Sequence, residues 1–138
     1  GESGYHHTAI AVDHVDLCKM PVATTRQLQN DYPALCRHVG EQLQEQLDLA
    51  DQWIVALSTG TAKQRVAQLL LIMDEFFADE NQSFILLNRE DMAAMIGIAV
   101  ETVSRMIATF KRQKILKRYR ENRYICNVTV LQEITRHG

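Results

Sequence analysis

The sequence predicts a mainly α-helical chain with a small β component, in which a long helix leads into a winged helix-turn-helix domain. Three observations carry this fold class. From Pro33 to about Leu57, apolar or small residues recur every seven positions. From Arg89 to Gln113, two helical patterns are separated by a three-residue turn containing glycine. Beyond them, the runs ILKRYR and RYICNV flank Glu121-Asn122, the pattern of a β-hairpin.

The bounds on the chain agree. Its 138 residues suffice for one or two small domains, and 46% hydrophobic with 23% charged residues is the composition of a soluble globular protein. No apolar run approaches the ~20 residues needed to cross a bilayer. The start at Gly1 without a methionine is that of a fragment or of a processed product. Cys18, Cys36 and Cys126 are widely spaced with no C-x-x-C pairing, so reduced structural thiols in a cytoplasmic protein are expected. No further ligand stands at metal-site spacing around the His6-His7 pair, and no metal is expected. Gly-rich phosphate loops, H-E-x-x-H and G-x-S-x-G are all missing, which argues against an enzyme.

Element by element, the stretch TAIAVDHVDLCKM holds two short alternating runs, Ile10/Val12 and Val15/Leu17, which predict two strands closed by Pro21. A short helix is expected over Thr24 to Asn30. Pro33 suits the first turn of the long helix. In that helix Cys36, Leu43, Ala50 and Leu57 lie seven apart, as do Gly40, Leu47 and Ile54, and Val39 widens the stripe. Such a stripe packs either on its own domain or on a twin helix. With few strands nearby to cover it, pairing with a second copy is the favoured reading. Ser58 to Thr61 supplies a break and caps. A helix over Ala62 to Phe77 should bury Val66, Leu69, Leu70, Met73 and Phe76 or Phe77, and the acidic turn DENQ ends it. SFILLN predicts a short strand. Asn88 followed by Asp91 is a helix start, so helices are expected over Arg89 to Gly97 and Val100 to Gln113, the second burying Val103, Ile107 and Phe110. A last short helix covers Val130 to Arg136.

Charge is distributed unevenly. Residues 1–88 carry 5 basic and 12 acidic side chains (−7), residues 89–138 carry 10 and 5 (+5), and the two sum to the overall −2. Lys111 to Arg123 holds seven basic residues against one Glu, a footprint suited to phosphates when it adjoins a reading helix. The helix that opens VETVSR has the residues for reading. Arg105 matches guanine O6 and N7 with its fork, Glu101 one turn earlier accepts from a cytosine amino group, and Ser104 reaches a base or phosphate. The competing reading makes Glu101 and Arg105 an exposed i,i+4 salt bridge worth only ~0.3–0.5 kcal/mol.

The string NREDMAAMIGIAVETVSRMIATFKRQKIL resembles the DNA-binding signature of the Crp/Fnr family of bacterial transcription regulators, and the VETVSR run is similar to the Fnr branch. The resemblance implies a C-terminal portion with three parts: the last strands of a β-roll sensor over 1–22, a dimerisation helix and its lead-in over 23–58, and a winged helix-turn-helix domain over 59–138. SGYHH is similar to the Fnr-type end of the roll. It also implies that Glu101, Ser104 and Arg105 read a TTGAT half-site. Arg89, Val100, Thr102, Lys111, Arg118 and Arg120 then serve as phosphate and wing contacts, and Cys36, Val39, Gly40, Leu43, Leu47, Ala50, Ile54 and Leu57 as the dimer seam. The implied partners are double-stranded DNA, a second copy of the chain and RNA polymerase, with no membrane. No cofactor is expected in these residues: around Tyr5 to Thr8 there is no Arg of the kind that cyclic-nucleotide members use. The alternative is a winged-helix protein-interaction module without specific DNA reading.

Overall fold

Helices form where the apolar period and the caps coincide. The computed structural model describes Thr8, Ala11 and residues 15–137. The chain divides into two compact units, Gly1–Glu45 and Gln46–Gly138, with the division inside the longest helix.

In the first unit, α1 spans Val22–Asp31 and ends where the Tyr32 N–H donates to the Leu28 carbonyl at 2.9 Å. Pro33 opens α2, Pro33–Ser58, at the one helical position where its missing N–H costs nothing. The Cys36 thiol lies 3.8 Å from the Gln29 carbonyl, to which it donates. The predicted Val15/Leu17 strand does not form: residues 15–20 carry no strand, and both side chains are exposed. A strand is held by its ladder to a neighbour, and no strand among the described residues pairs with this stretch. The Ile10/Val12 run, like SGYHH, lies largely outside the described residues.

The second unit is built on α3, Ala62–Phe77, which buries Val66, Ala67, Leu69, Leu70, Ile72 and Met73. Thr61 starts it with a capping box: its Oγ1 accepts from the Gln64 N–H, and Gln64 Oε1 accepts from the Thr61 N–H at 2.8 Å. Contrary to the sequence expectation, neither Phe76 nor Phe77 enters the core. Both stay exposed near the helix end, with Phe76 edge-on to Trp53 at 5.2 Å between ring centroids. Ala67 and Ile72 widen the buried face instead, because α3 is covered by α4, α5, α6 and the sheet. These are α4 Arg89–Ile96, α5 Val100–Arg112 and α6 Val128–His137. The last starts two residues earlier than the apolar pattern suggests, since Asn127 Oδ1 accepts from the Val130 N–H at 3.2 Å and caps it.

Strands β1 (Phe84–Ile85), β2 (Leu116–Arg120) and β3 (Arg123–Cys126) form an antiparallel sheet of order β1-β3-β2. SFILLN thus contributes only two residues of strand. A polar knot ties β1 to the hairpin. Asp79 accepts from the backbone N–H groups of Asn81 and Ser83 and from the Ser83 hydroxyl, and pairs with Arg123 at 2.8 Å. Arg123 also donates to Ser83 Oγ at 2.8 Å and to its carbonyl at 2.6 Å. Ser83 is fully buried, so each of its polar atoms needs such a partner. Cys126 is buried beside Asp74, its thiol donating to the carboxylate at 3.3 Å. Burial first, then the negative charge, pushes its pKa up to about 12, which makes it inert.

Two predictions follow from this packing. The Ser83 backbone hydrogen bond, helped by the Ser83 hydroxyl and the Arg123 charge, holds the Asp79 carboxyl below its usual value. A carboxyl depressed in the folded state stabilises the fold above the ordinary carboxylate pKa of ~3.9, and that contribution fades as pH falls through the lowered value. Asp79→Asn should therefore lower the melting temperature at neutral pH, and it should flatten the loss of stability between neutral pH and the acid limb in thermal melts. Gly97 has φ +63°, and an added Cβ would meet nothing within 4 Å. Gly97→Ala should then cost roughly 1–2 kcal/mol in urea unfolding through backbone strain alone, with Gly97→Asn costing less.

Candidate nucleic-acid interface

The interface is assembled from α4, α5 and the β2-β3 hairpin. Asn88 caps α4: its Oδ1 accepts from the Asp91 N–H at 2.7 Å while its Nδ2 donates to the Asp91 carboxylate at 2.6 Å. Gly97 ends α4 in the left-handed region, and the Gly97 and Ile98 N–H groups both turn back to the Ala93 carbonyl. Arg65 of α3 completes this end, donating to the Ile96 carbonyl at 3.3 Å and to the Gly60 carbonyl at 3.2 Å. The axes of α4 and α5 meet at 108° across the break, within the range of a helix-turn-helix.

Helix α5 buries Val103, Ile107 and Phe110 almost completely, and that fixes its rotation. Glu101, Ser104 and Arg105 are consequently exposed on the other side. Arg105 Nη2 donates to Thr102 Oγ1 at 3.2 Å, and no ion pair joins Arg105 to Glu101 among the described residues. The exposed salt bridge offered as the competing reading is not formed. Instead, Thr102 steadies the guanidinium and leaves the Glu101 carboxylate to solvent. Val100 is half-buried against the core at the start of the helix. Lys111 and Arg112 in the last turn complement the helix dipole.

Three of the cations singled out in the sequence act on Tyr124 of β3, Lys111 by contact and Arg118 and Arg89 through their charge. Lys111 Nζ donates to the Tyr124 hydroxyl at 2.9 Å. Arg118 is directly opposite Tyr124 in the β2-β3 register, and cross-strand partners share a face. Arg89 lines the same shallow cleft as Tyr124, together with Asn88, Glu90 and Asn122. The Lys111 hydrogen bond, with the charges of Lys111, Arg118 and Arg89 behind it, lowers the Tyr124 pKa. Arg120 goes elsewhere. The register skips Tyr119, pairing Arg118 with Tyr124 but Arg120 with Arg123, so the two arginines sit on opposite faces of the wing. Arg120 instead lies over the Tyr119 ring at 5.3 Å. Arg123, counted in the basic footprint, is taken up by Asp79 and Ser83.

Sequence reasoning missed Tyr124 and Arg65. An aromatic inside a basic run, opposite Arg118 once the hairpin is registered about Asn122 (φ 57°), was a usable signal for the first. Nothing local marks the contact of Arg65 with the end of α4, which lies 31 residues away.

Of the predicted seam, Val39, Leu43, Leu47 and Ile54 are exposed, and Gly40 has open space around it. Ala50 is exposed and Cys36 half-buried. Leu57 departs from the stripe: it is only 7% exposed and belongs to the core of its own unit. It shares a shallow pocket with Arg65 of α3 and with Met95 and Ile96 of α4, so its cover comes from elements further along the chain. Among the described residues, no single helix is long and apolar enough to cross a membrane.

Comparison with known proteins agrees with this architecture. The family described as the Crp-like helix-turn-helix domain matches residues 64–134, more than half of the chain. The transcriptional activator protein FnrL of Cereibacter sphaeroides is 36% identical over 91 residues, covering 57% of this chain and 37% of that protein. The transcriptional activator protein FnrA of Stutzerimonas stutzeri is 27% identical over 117 residues, covering 82% of this chain. The chain spans about half, 48%, of FnrA. The fold is that of the FixK2 structure from Bradyrhizobium japonicum, with a TM-score of 0.71 at 24% identity over 81% of this chain and 57% of that one. A Gly-centred helix-turn-helix, a hairpin wing and a family match across both together lead to one conclusion: the chain belongs to the Crp/Fnr family of transcription regulators, and corresponds to the C-terminal part of its Fnr-like relatives.

Proposed function

We propose that the chain is the DNA-binding and dimerising part of a sequence-specific transcription regulator, which binds a palindromic duplex as a homodimer. The observation that carries this reading is the exposed Glu101, Ser104 and Arg105 face of α5, flanked by the Arg89, Lys111 and Arg118 cluster. An acidic side chain amid phosphate-binding cations is unfavourable unless it accepts from a base. Glu101 left free of Arg105 fits an acceptor for a cytosine amino group, and Arg105 fits a guanine. In this reading Val100 and Thr102 meet the backbone at the start of α5, and Arg120 approaches it from the far face of the wing.

The second copy is held through α2. Leu43, Leu47 and Ile54 are about 60–65% exposed in the single chain, and burying each leucine contributes about 2 kcal/mol. In this reading residues 23–58 are the dimerisation segment and 59–138 the reading head, and residues 1–22 lead in from a sensor domain. Working on DNA in the cytoplasm, such a regulator has RNA polymerase as its further partner.

Binding to a palindrome of TTGAT half-sites, their centres about one helical turn apart, tests the reading. Arg105→Ala should cost roughly 1–3 kcal/mol and relax the choice at one G·C pair. Glu101→Ala should relax specificity while leaving non-specific affinity unchanged or higher. Arg118→Ala should weaken all sequences alike and reduce the slope of log affinity against log salt by about one unit. Uniform loss of affinity in all three variants, with base preference intact, would refute the assignment of α5 as reading helix. Leu47→Glu should yield monomers in sedimentation and lose tight binding to the full palindrome; a wild-type monomer at micromolar concentration counts against the dimer.

A further inference from the structure

We propose that Tyr124 is itself a DNA contact, donating its hydroxyl proton to a backbone phosphate at the junction of α4, α5 and the wing. The proposal rests on the DNA-binding reading above and adds to it a residue that carries no charge. Lys111 Nζ lies 2.9 Å from the phenolic oxygen and donates to it, since an ammonium has no acceptor capacity. The hydroxyl's own proton is therefore free to go outward, and among the described residues no acceptor takes it. Three cations from three elements act on that hydroxyl: Lys111 at the end of α5 by contact, and through their charge Arg118 across the hairpin and Arg89 at the start of α4, whose Nη1 donates to the Leu87 carbonyl at 3.4 Å. None of the three is in an ion pair among the described residues.

A hydroxyl donor beside unneutralised cations is matched by an acceptor that carries negative charge and several oxygens. Duplex DNA presents such a group in each backbone phosphate. The chain Lys111 N–H to Tyr124 O–H to phosphate oxygen runs donor to acceptor throughout. Each bond in such a chain polarises the next, so Lys111 strengthens the donation by Tyr124. The lowered pKa of the phenol agrees with that polarisation. The bond between Lys111 and Tyr124 is exposed, whereas the placement of α5 is set by the buried Val103, Ile107 and Phe110.

The two kinds of contact separate in their salt dependence. A lysine or arginine that meets a phosphate releases a counterion, whereas a hydroxyl does not. Tyr124→Phe keeps the ring and removes only the donor. It should weaken binding roughly tenfold for palindromic and random duplexes alike, with base preference, melting temperature and salt slope unchanged. Lys111→Met should by contrast reduce the slope by about one unit. Duplexes carrying a single neutral methylphosphonate at successive positions locate the contact. At one phosphate per half-site the neutral group should cost the wild type its affinity and leave wild type and Tyr124→Phe equal. A Tyr124→Phe protein that binds as well as wild type, or a penalty that persists at every methylphosphonate position, overturns the contact while leaving the DNA-binding reading intact. A wild-type chain that binds no duplex in a salt-dependent way removes that reading, and the contact with it.

Discussion

The left-handed backbone at Gly97 is the constraint on which the reading surface depends. It lets α4 stop after two turns and return its last N–H groups to Ala93, so that α5 sets off at 108° rather than continuing along the same axis. Arg65 reinforces the stop from outside by occupying the Ile96 carbonyl, which would otherwise be an unsatisfied helix end. Once that angle is fixed, burial of Val103, Ile107 and Phe110 sets the rotation of α5 about its axis. The exposure of Glu101, Ser104 and Arg105 follows from the 3.6-residue period rather than from any contact of their own.

The wing obeys a second, polar constraint. A two-stranded hairpin is marginal by itself, and here the third strand is only two residues long. What holds it is the Asp79, Ser83 and Arg123 knot, in which a buried hydroxyl, a depressed carboxyl and a guanidinium satisfy one another. The cost is one cation withdrawn from the basic footprint. The skipped residue Tyr119 then sends Arg118 and Arg120 to opposite faces. A run that looks uniformly basic along the chain is thus sorted in space into a structural arginine, a cluster around Tyr124 and a group left in solvent. The overall charge of −2 conceals this sorting, because the acidic excess resides in the first 88 residues.

Much of this was legible in the sequence, because helices α3, α4 and α5 are specified by short-range signals. Thr61 with Gln64, Asn88 with Asp91 and Gly97 are caps whose partners lie within four residues, and the apolar period between them leaves one face to bury. The hairpin was legible for the same reason, its turn residue Asn122 being one that tolerates positive φ. Strand formation over Val15 and Leu17 was not, since alternation describes a face but supplies no neighbour to pair with. Phe76 and Phe77 mark the same limit: apolar character says that a side chain gains by burial, while the supply of covering atoms is decided by elements far along the chain.

By itself, then, the sequence determined which segments are helical, where they stop, and which side chains α5 leaves to solvent, because caps, period and turn chemistry all act within a turn or two of the chain. The tertiary structure alone decided that Leu57 belongs to the core rather than the exposed stripe, and that Arg123 is bound within the fold. It also decided that Lys111 bonds the Tyr124 phenol, that Arg89 and Arg118 act on it through their charge, and that Arg120 turns to the other face of the wing. Each of these depends on a partner remote in sequence, brought near by packing or by a one-residue irregularity in register. No local signal encodes a distance between such partners.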